Sequence, residues 1–124
     1  MSVHLVPADR ASRHVIDEHR VCDAIAGLPE PDAVAERARR FALLGDPSRL
    51  SLLLCIAAAS PIAVTDLAVA TGLQDGTVSQ ALRHLRAHGA VRANRDGRVL
   101  RYVLADEDLA DLLRPLAVPA TPGH

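Results

Sequence analysis

Between residues 65 and 104 the spacing of apolar residues changes period, and this change limits the available folds more than any other feature. In QDGTVSQALRHLRAHG, residues Val78, Leu82 and Leu85 recur at three- and four-residue steps, the pattern of one helical face. Just upstream, TDLAVATG reads as a short helix that Thr65 can cap and Gly72 can close. Two short helices joined by a brief glycine-containing turn outline a helix-turn-helix. The period then falls to two. VRANR and RVLRYVL alternate apolar and polar residues on either side of Asp96-Gly97, a strong hairpin signal.

The remaining segments are helical. HVIDEHRVCDAIAG, residues 14–27, can form a short helix that Gly27, Pro29 and Pro31 prevent from continuing. DAVAERARRFALLG follows, with Asp32 placed as an N-cap and Val34, Ala38, Phe41 and Ala42 at helical spacing. In DPSRLSLLLCIAAAS, Asp46 caps, Pro47 takes the first helical position, and Leu50, Leu53, Leu54 and Ala57 form the apolar stripe. Arg49 can pair with Asp46 or a neighbouring acid. DEDLADLLRPL reads as a last short amphipathic helix through Leu109, Leu112 and Leu113. The expected fold is mainly α with a β-hairpin wing, in one domain over residues 32–116. A flexible arm with a short helix (1–31) precedes it, and a disordered tail (117–124) follows.

Composition agrees with a single small core. The chain has 124 residues, 49 % of them hydrophobic and only 2 % aromatic, so the core must be aliphatic. No apolar run of about 18 residues suggests a membrane span. MSVHLVPADR lacks the basic-then-apolar layout of a secretory signal. Two cysteines, Cys22 and Cys55, are too few for a disulfide framework, and the expected location is the cytoplasm. Cys55 reads as buried and inert among its apolar neighbours.

A net charge of −1 hides an asymmetry. Residues 74–104 carry six Arg against two acids, whereas residues 105–124 carry one Arg against four. A cationic block in a nearly neutral chain suggests one local anionic partner. A helix-turn-helix followed by a basic hairpin suits double-stranded DNA, with the second helix in the major groove and the hairpin over the backbone. That helix would present Thr77, Ser79, Gln80, Arg83 and His84 outward, with Gln74 just before it. Gln80 suits adenine, Arg83 suits guanine or a phosphate, and first-turn hydroxyls and amides suit a phosphate. Arg95, Arg98 and Arg101 on the hairpin would neutralise phosphates. An enzyme is not expected, because no nucleophile–base pairing or phosphate-cradling glycine loop is present.

FALLGDPSRLSLLL resembles the signature of the ArsR/SmtB family of bacterial metal-responsive repressors. VTDLAVATGLQDGTVSQALRHLRAHGAV resembles that family's recognition segment, and DGRVLRYVLAD its wing. The resemblance spans residues 34–114. It implies a homodimer, paired through residues 32–44 and 106–116, that binds a pseudo-palindromic operator and releases it when an effector binds.

The family's sensor sites differ, so each is carried over residue by residue. A last-helix site with Asp-x-His would begin at Asp106, but Asp108 stands where the His belongs, which leaves that site lost or reduced to a weak carboxylate pair. A cysteine pair in the helix before the recognition helix is absent from PIAVTDLAV. A third site joins the N-terminal arm to that helix across the dimer. Here the arm offers His14, Asp17, His19 and Cys22, and the helix offers Asp66. His19 and Cys22 share one helical face, and imidazole, thiolate and carboxylate together suit zinc, cadmium, cobalt or nickel. The same residues also read as solvated histidines, a small core cysteine and a structural acid. Two further readings stay open. One is a winged-helix regulator without a metal response that senses thiol oxidation, an organic ligand or a protein partner. The other is a module that docks an accessory protein instead of DNA.

Overall fold

A computed structural model describes residues 6–119; residues 120–124 of the expected tail lie outside the described residues. The chain divides into two compact units, one up to Arg39 and one from Arg40 onward.

In the first unit, helix α1 (Glu18–Ala26) starts later than the helix read at 14–27. Asp17 sets that start. One of its carboxylate oxygens accepts the Arg20 backbone N–H at 3.2 Å, and the other accepts Arg20 Nε at 3.0 Å. An aspartate so used is an N-cap, and it leaves His14 ahead of the helix. Helix α2 (Pro31–Leu44) crosses the boundary between the units. It begins at Pro31, so Asp32 lies inside the first turn and does not cap. A proline loses nothing there, because that N–H has no helical partner. The expected α2 stripe is not packed: Val34, Ala38, Phe41 and Ala42 are all exposed, and Leu43 is the buried residue.

The second unit continues with α3 (Pro47–Ala59), β1 (Ile62–Ala63), α4 (Val64–Thr71), α5 (Asp75–Ala87), β2 (Val91–Asp96), β3 (Val99–Leu104) and α6 (Glu107–Leu113). The strands form an antiparallel sheet in the order β1-β3-β2. Helix-turn-helix and hairpin therefore stand where the period change puts them. Strand β1 was not anticipated. It is two residues long and pairs Ile62 with Tyr102 and Ala63 with Arg101. Because Ala63 is already extended in that pairing, α4 starts directly at Val64. Thr65 falls in its first turn and caps nothing.

Several local devices fix the joints. Asp46 accepts the Arg49 N–H at 3.0 Å, and Pro47 opens α3, as the sequence suggests. The Arg49 side chain differs from expectation. Its Nε donates to the Leu43 carbonyl and its Nη2 to the Ala42 carbonyl, both at 3.0 Å, so it closes the C-terminal end of α2 instead of pairing with an acid. In the helix-turn-helix turn, Thr71 Oγ1 donates to the Leu67 carbonyl at 2.7 Å and accepts the Leu73 N–H at 3.3 Å. Gly72 holds φ +73°, a conformation that costs a glycine little. The hairpin loop is shifted by one residue from the expected turn. Asp96 pairs with Val99, which leaves Gly97 and Arg98 as the two-residue connection. Gly97 has φ +63° and Arg98 does not have positive φ, the pattern of a type II′ turn.

The core is aliphatic apart from Tyr102, with Leu52, Leu53, Ile56, Leu67, Val78, Leu82, Leu85, Leu109 and Leu113 buried. On α3 the buried face is Leu52, Leu53 and Ile56. Leu50 and Leu54 are half-buried and Ala57 is exposed. LSLLLCIAAA is apolar almost all round, so its periodicity could not select a face. Cys55 is half-buried at the edge of this core, less enclosed than expected. Among the described residues no single helix is long and apolar enough to cross a membrane.

One ion-pair cluster ties the start of α6 to the end of α2. Arg40 Nε donates to Asp106 at 2.9 Å, and Arg40 Nη2 lies 3.3 Å from Asp108. Asp106 also caps α6 through the amides of Asp108 and Leu109. Burial pushes the Asp106 carboxyl pKa up, but the Arg40 hydrogen bond, the Arg40 charge and the two amides together carry it below its usual value. A lowered folded-state pKa adds stability that is complete above the unfolded value and disappears as pH falls through the folded one. Asp106→Asn should therefore be less stable than the parent in urea at about pH 7, with the gap closing once pH drops below about 4. A gap independent of pH would refute this account of Asp106.

Candidate nucleic-acid interface

Helix α5 is docked by three residues. Val78, Leu82 and Leu85 are buried, and this fixes the helix rotation. The opposite side is then determined. Thr77, Ser79, Gln80, Arg83 and His84 are all exposed, as the sequence reading expects. Gln74 is the extended residue immediately before the helix, and its side chain makes no cap hydrogen bond.

The exposed residues fall on two edges. Thr77, Gln80 and His84 line a shallow cleft with Asp46, Ser48 and Arg49 at the start of α3. Ser79, Arg83 and Arg86 line another with Val64 and Tyr102. A third cleft sets Arg95 and Arg98 of the hairpin against Thr65 of α4. Recognition helix, wing and the start of α4 thus contribute hydroxyl, amide and guanidinium groups to adjoining surface of one unit. Among the described residues Arg83, Arg86, Arg92, Arg95 and Arg98 have no carboxylate partner, so their charge is open to an anion.

Arg101 is placed differently from the other hairpin arginines. It sits on the central strand and lies 3.4 Å from Asp96, so its charge is partly answered within the wing. Arg86 and Arg92 were not singled out from the sequence. Arg86 could have been: it lies three residues after Arg83, at the spacing that puts two side chains on one helix edge.

The metal-site candidates are spread over both units. His14 and His19 are exposed, and Cys22 is half-buried on α1. Asp17 is occupied by its cap and by Arg20. Asp66 is exposed in the first turn of α4. Among the described residues of one chain, no three His, Cys, Asp or Glu side chains come together as a ligand set. The acids at the start of the last helix are engaged too, since Asp106 and Asp108 both hold Arg40.

Comparison with known proteins agrees with this geometry. Residues 50–95 match the model of the IclR helix-turn-helix domain. The chain is 40 % identical to the HTH-type transcriptional regulator NmtR of Mycobacterium tuberculosis, over 68 % of this chain and 69 % of that protein. It is 38 % identical to a transcriptional repressor SmtB homolog of Synechocystis, over 69 % of this chain but only 64 % of the relative's length. Among solved structures, the homodimeric winged helix-turn-helix DNA-binding domain Mb0332 of Mycobacterium bovis superposes with a TM-score of 0.60. That match has 33 % identity and covers 73 % of this chain and 85 % of that one. With a docked recognition helix, a basic hairpin and these relatives, the chain belongs to the ArsR/SmtB family of winged helix-turn-helix transcriptional regulators.

Proposed function

We propose that the chain is a repressor that binds a pseudo-palindromic operator as a homodimer and is released by a transition-metal ion. The observation that carries the DNA part is the exposed face of α5, with Thr77, Gln80 and His84 on one edge and Arg83 on the other, set over the buried Val78, Leu82 and Leu85, beside Arg95 and Arg98, which have no carboxylate partner among the described residues. Side chains fixed in this way can reach base edges, while the hairpin arginines answer the backbone. Arg83→Ala should weaken binding to the specific operator by about 1–3 kcal/mol, whereas Arg98→Ala should weaken all duplexes alike and lower the salt slope by about one. Fluorescence anisotropy on the operator and on a scrambled duplex, over a salt series, measures both. Equal losses on the two duplexes for Arg83→Ala would mean that Arg83 reads no base.

Dimer formation is supported by apolar surface that a single chain leaves bare. Phe41 on α2 is 58 % exposed and Leu116, just after α6, is 52 % exposed. Both lie in the segments that pair in the family resemblance, and the Mycobacterium bovis neighbour is itself homodimeric. A twofold interface would bury such residues. Phe41→Glu should shift the protein from dimer to monomer in analytical ultracentrifugation without unfolding it, because Phe41 is outside the core. A variant that stays dimeric would remove α2 from the interface.

The metal response is supported by donor chemistry and by the names of two relatives: a SmtB homolog and, from Halobacterium salinarum, a putative arsenical resistance operon repressor. His19 and Cys22 fit a borderline-soft divalent cation, and α1 carries both within one turn. We assign them, with His14 and the partner helix's Asp66, as the sensing donors. Asp17 is the weakest of the five, because it would have to give up its cap. Bound metal would be held by imidazole and thiolate and would favour a dimer in which the recognition helices no longer match the operator. Zinc, cadmium, cobalt and nickel, each titrated onto the reduced protein–operator complex, test this. At least one should weaken binding by about 1–3 kcal/mol, and Cys22→Ser should abolish that response. If all four leave operator binding unchanged, the reading without metal stands. A signal from thiol oxidation, an organic ligand or an accessory protein would then take its place.

A further inference from the structure

We propose that the N-terminal arm holds a binding site for a small aliphatic carboxylate, its chain seated in an apolar groove and its headgroup on Arg13. The groove has a volume of about 450 Å³. Small-molecule pockets span about 300–1,000 Å³, so such a ligand has room there. Val15, Val21, Ile25 and Leu28 form the apolar wall, and Arg10 and Arg13 are the charged residues that line it. Local structure places them. The Asp17 cap starts α1 at Glu18, with Val21 and Ile25 four residues apart on one face. The Leu28 N–H donates to the Ile25 carbonyl at 3.1 Å, which keeps Leu28 beside them. Ahead of α1, the Arg10 N–H donates to the Pro7 carbonyl at 3.0 Å and the Arg13 N–H to the Arg10 carbonyl at 3.1 Å. These two turns fold the segment so that both arginines reach the groove.

The chemistry of the lining selects the occupant. The wall is aliphatic and has no aromatic ring to stack on, so it suits a saturated chain better than a flat ring system. Val21 and Ile25 are only half-buried and Leu28 is 59 % exposed, so a chain laid along them removes apolar surface from water. Arg13 has no carboxylate partner among the described residues. Arg10 is only loosely answered, since its Nε lies 3.8 Å from Asp9 and its terminal N–H groups are left for a second acceptor. Asp17 does not answer either of them, because its oxygens hold the Arg20 amide and side chain. A guanidinium takes a carboxylate through two parallel hydrogen bonds, a geometry that an alcohol does not offer. None of the proposed sensing donors lines the groove. The site therefore needs neither metal nor DNA, and failure of the metal response would leave it standing.

The test uses the full reduced chain without metal, with decanoate as the probe and decanol as its uncharged counterpart, followed by methyl NMR. The methyls of Val15, Val21, Ile25 and Leu28 should shift together and saturate with one common affinity for decanoate, and decanol should bind more weakly. Arg13→Gln should weaken decanoate binding by about threefold to fivefold and leave decanol binding unchanged. Leu28→Ser should weaken both by about tenfold. Arg13 and Leu28 are exposed, and unchanged amide spectra away from the arm would confirm that the variants fold. Equal affinity for decanoate and decanol, or parent affinity in both variants, would overturn the proposal. So would arm methyls that move with protein concentration and not with decanoate, because a second copy of the chain would then cover the groove.

Discussion

The orientation of α5 rests on the burial of Val78, Leu82 and Leu85 in an aliphatic core, and the placement of its exposed polar face follows from it. Each of these side chains is essentially removed from water, a gain of about 1.5–3 kcal/mol apiece. Rotating the helix by one residue would expose all three and bury Ser79 or Arg83 in exchange. The cost of an unpaired guanidinium inside an apolar core makes that alternative inaccessible. Rotational placement of Gln80, Arg83 and His84 is thus a consequence of packing on the hidden face. No DNA contact is needed to establish it.

That dependence explains what was legible in the chain. The α5 pattern has polar residues opposite a narrow apolar row, so period alone identified both faces. On α3 the same reasoning failed, because Ala57, Ala58 and Ala59 give no contrast with the leucines beside them. Caps were read correctly where an aspartate precedes a proline at the first helical position, as at Asp46. They were misread where proline or strand pairing had already set the start, as at Asp32 and Thr65. Strand β1 was illegible for a simple reason: two residues carry no period, and only β3 gives Ile62 and Ala63 a partner. The hairpin was evident, yet its loop moved to Gly97-Arg98, since one glycine with positive φ suits the first loop position as well as the second.

Charge counted by sequence block also needs correction from the fold. The acidic block at 105–124 is partly answered by Arg40, which is distant in sequence and meets Asp106 and Asp108 in space. Within the basic block, Asp96 takes up Arg101. What remains is a smaller but better-directed set of cations, at Arg83 and Arg86 on the helix and Arg92, Arg95 and Arg98 on the hairpin. Long-range attraction to a phosphate backbone depends on this residual field, not on the near-zero net charge of the chain.

Carboxylates bear the same lesson for metal binding. Asp17, Asp46 and Asp106 each spend an oxygen on the N-terminal amides of a helix, and Asp17 and Asp106 also hold an arginine. A metal would have to compete with these bonds, so Asp17 and Asp106 are poorer ligands in the fold than the sequence suggests. Among the described residues, the side chains of His14, His19 and His84 make no such hydrogen bond. His88 Nδ1 donates to the His84 carbonyl, which leaves the lone pair on Nε2. Among the groups proposed to hold a metal, imidazole and thiolate therefore fit better than Asp17, whereas Asp17, Asp46 and Asp106 start helices.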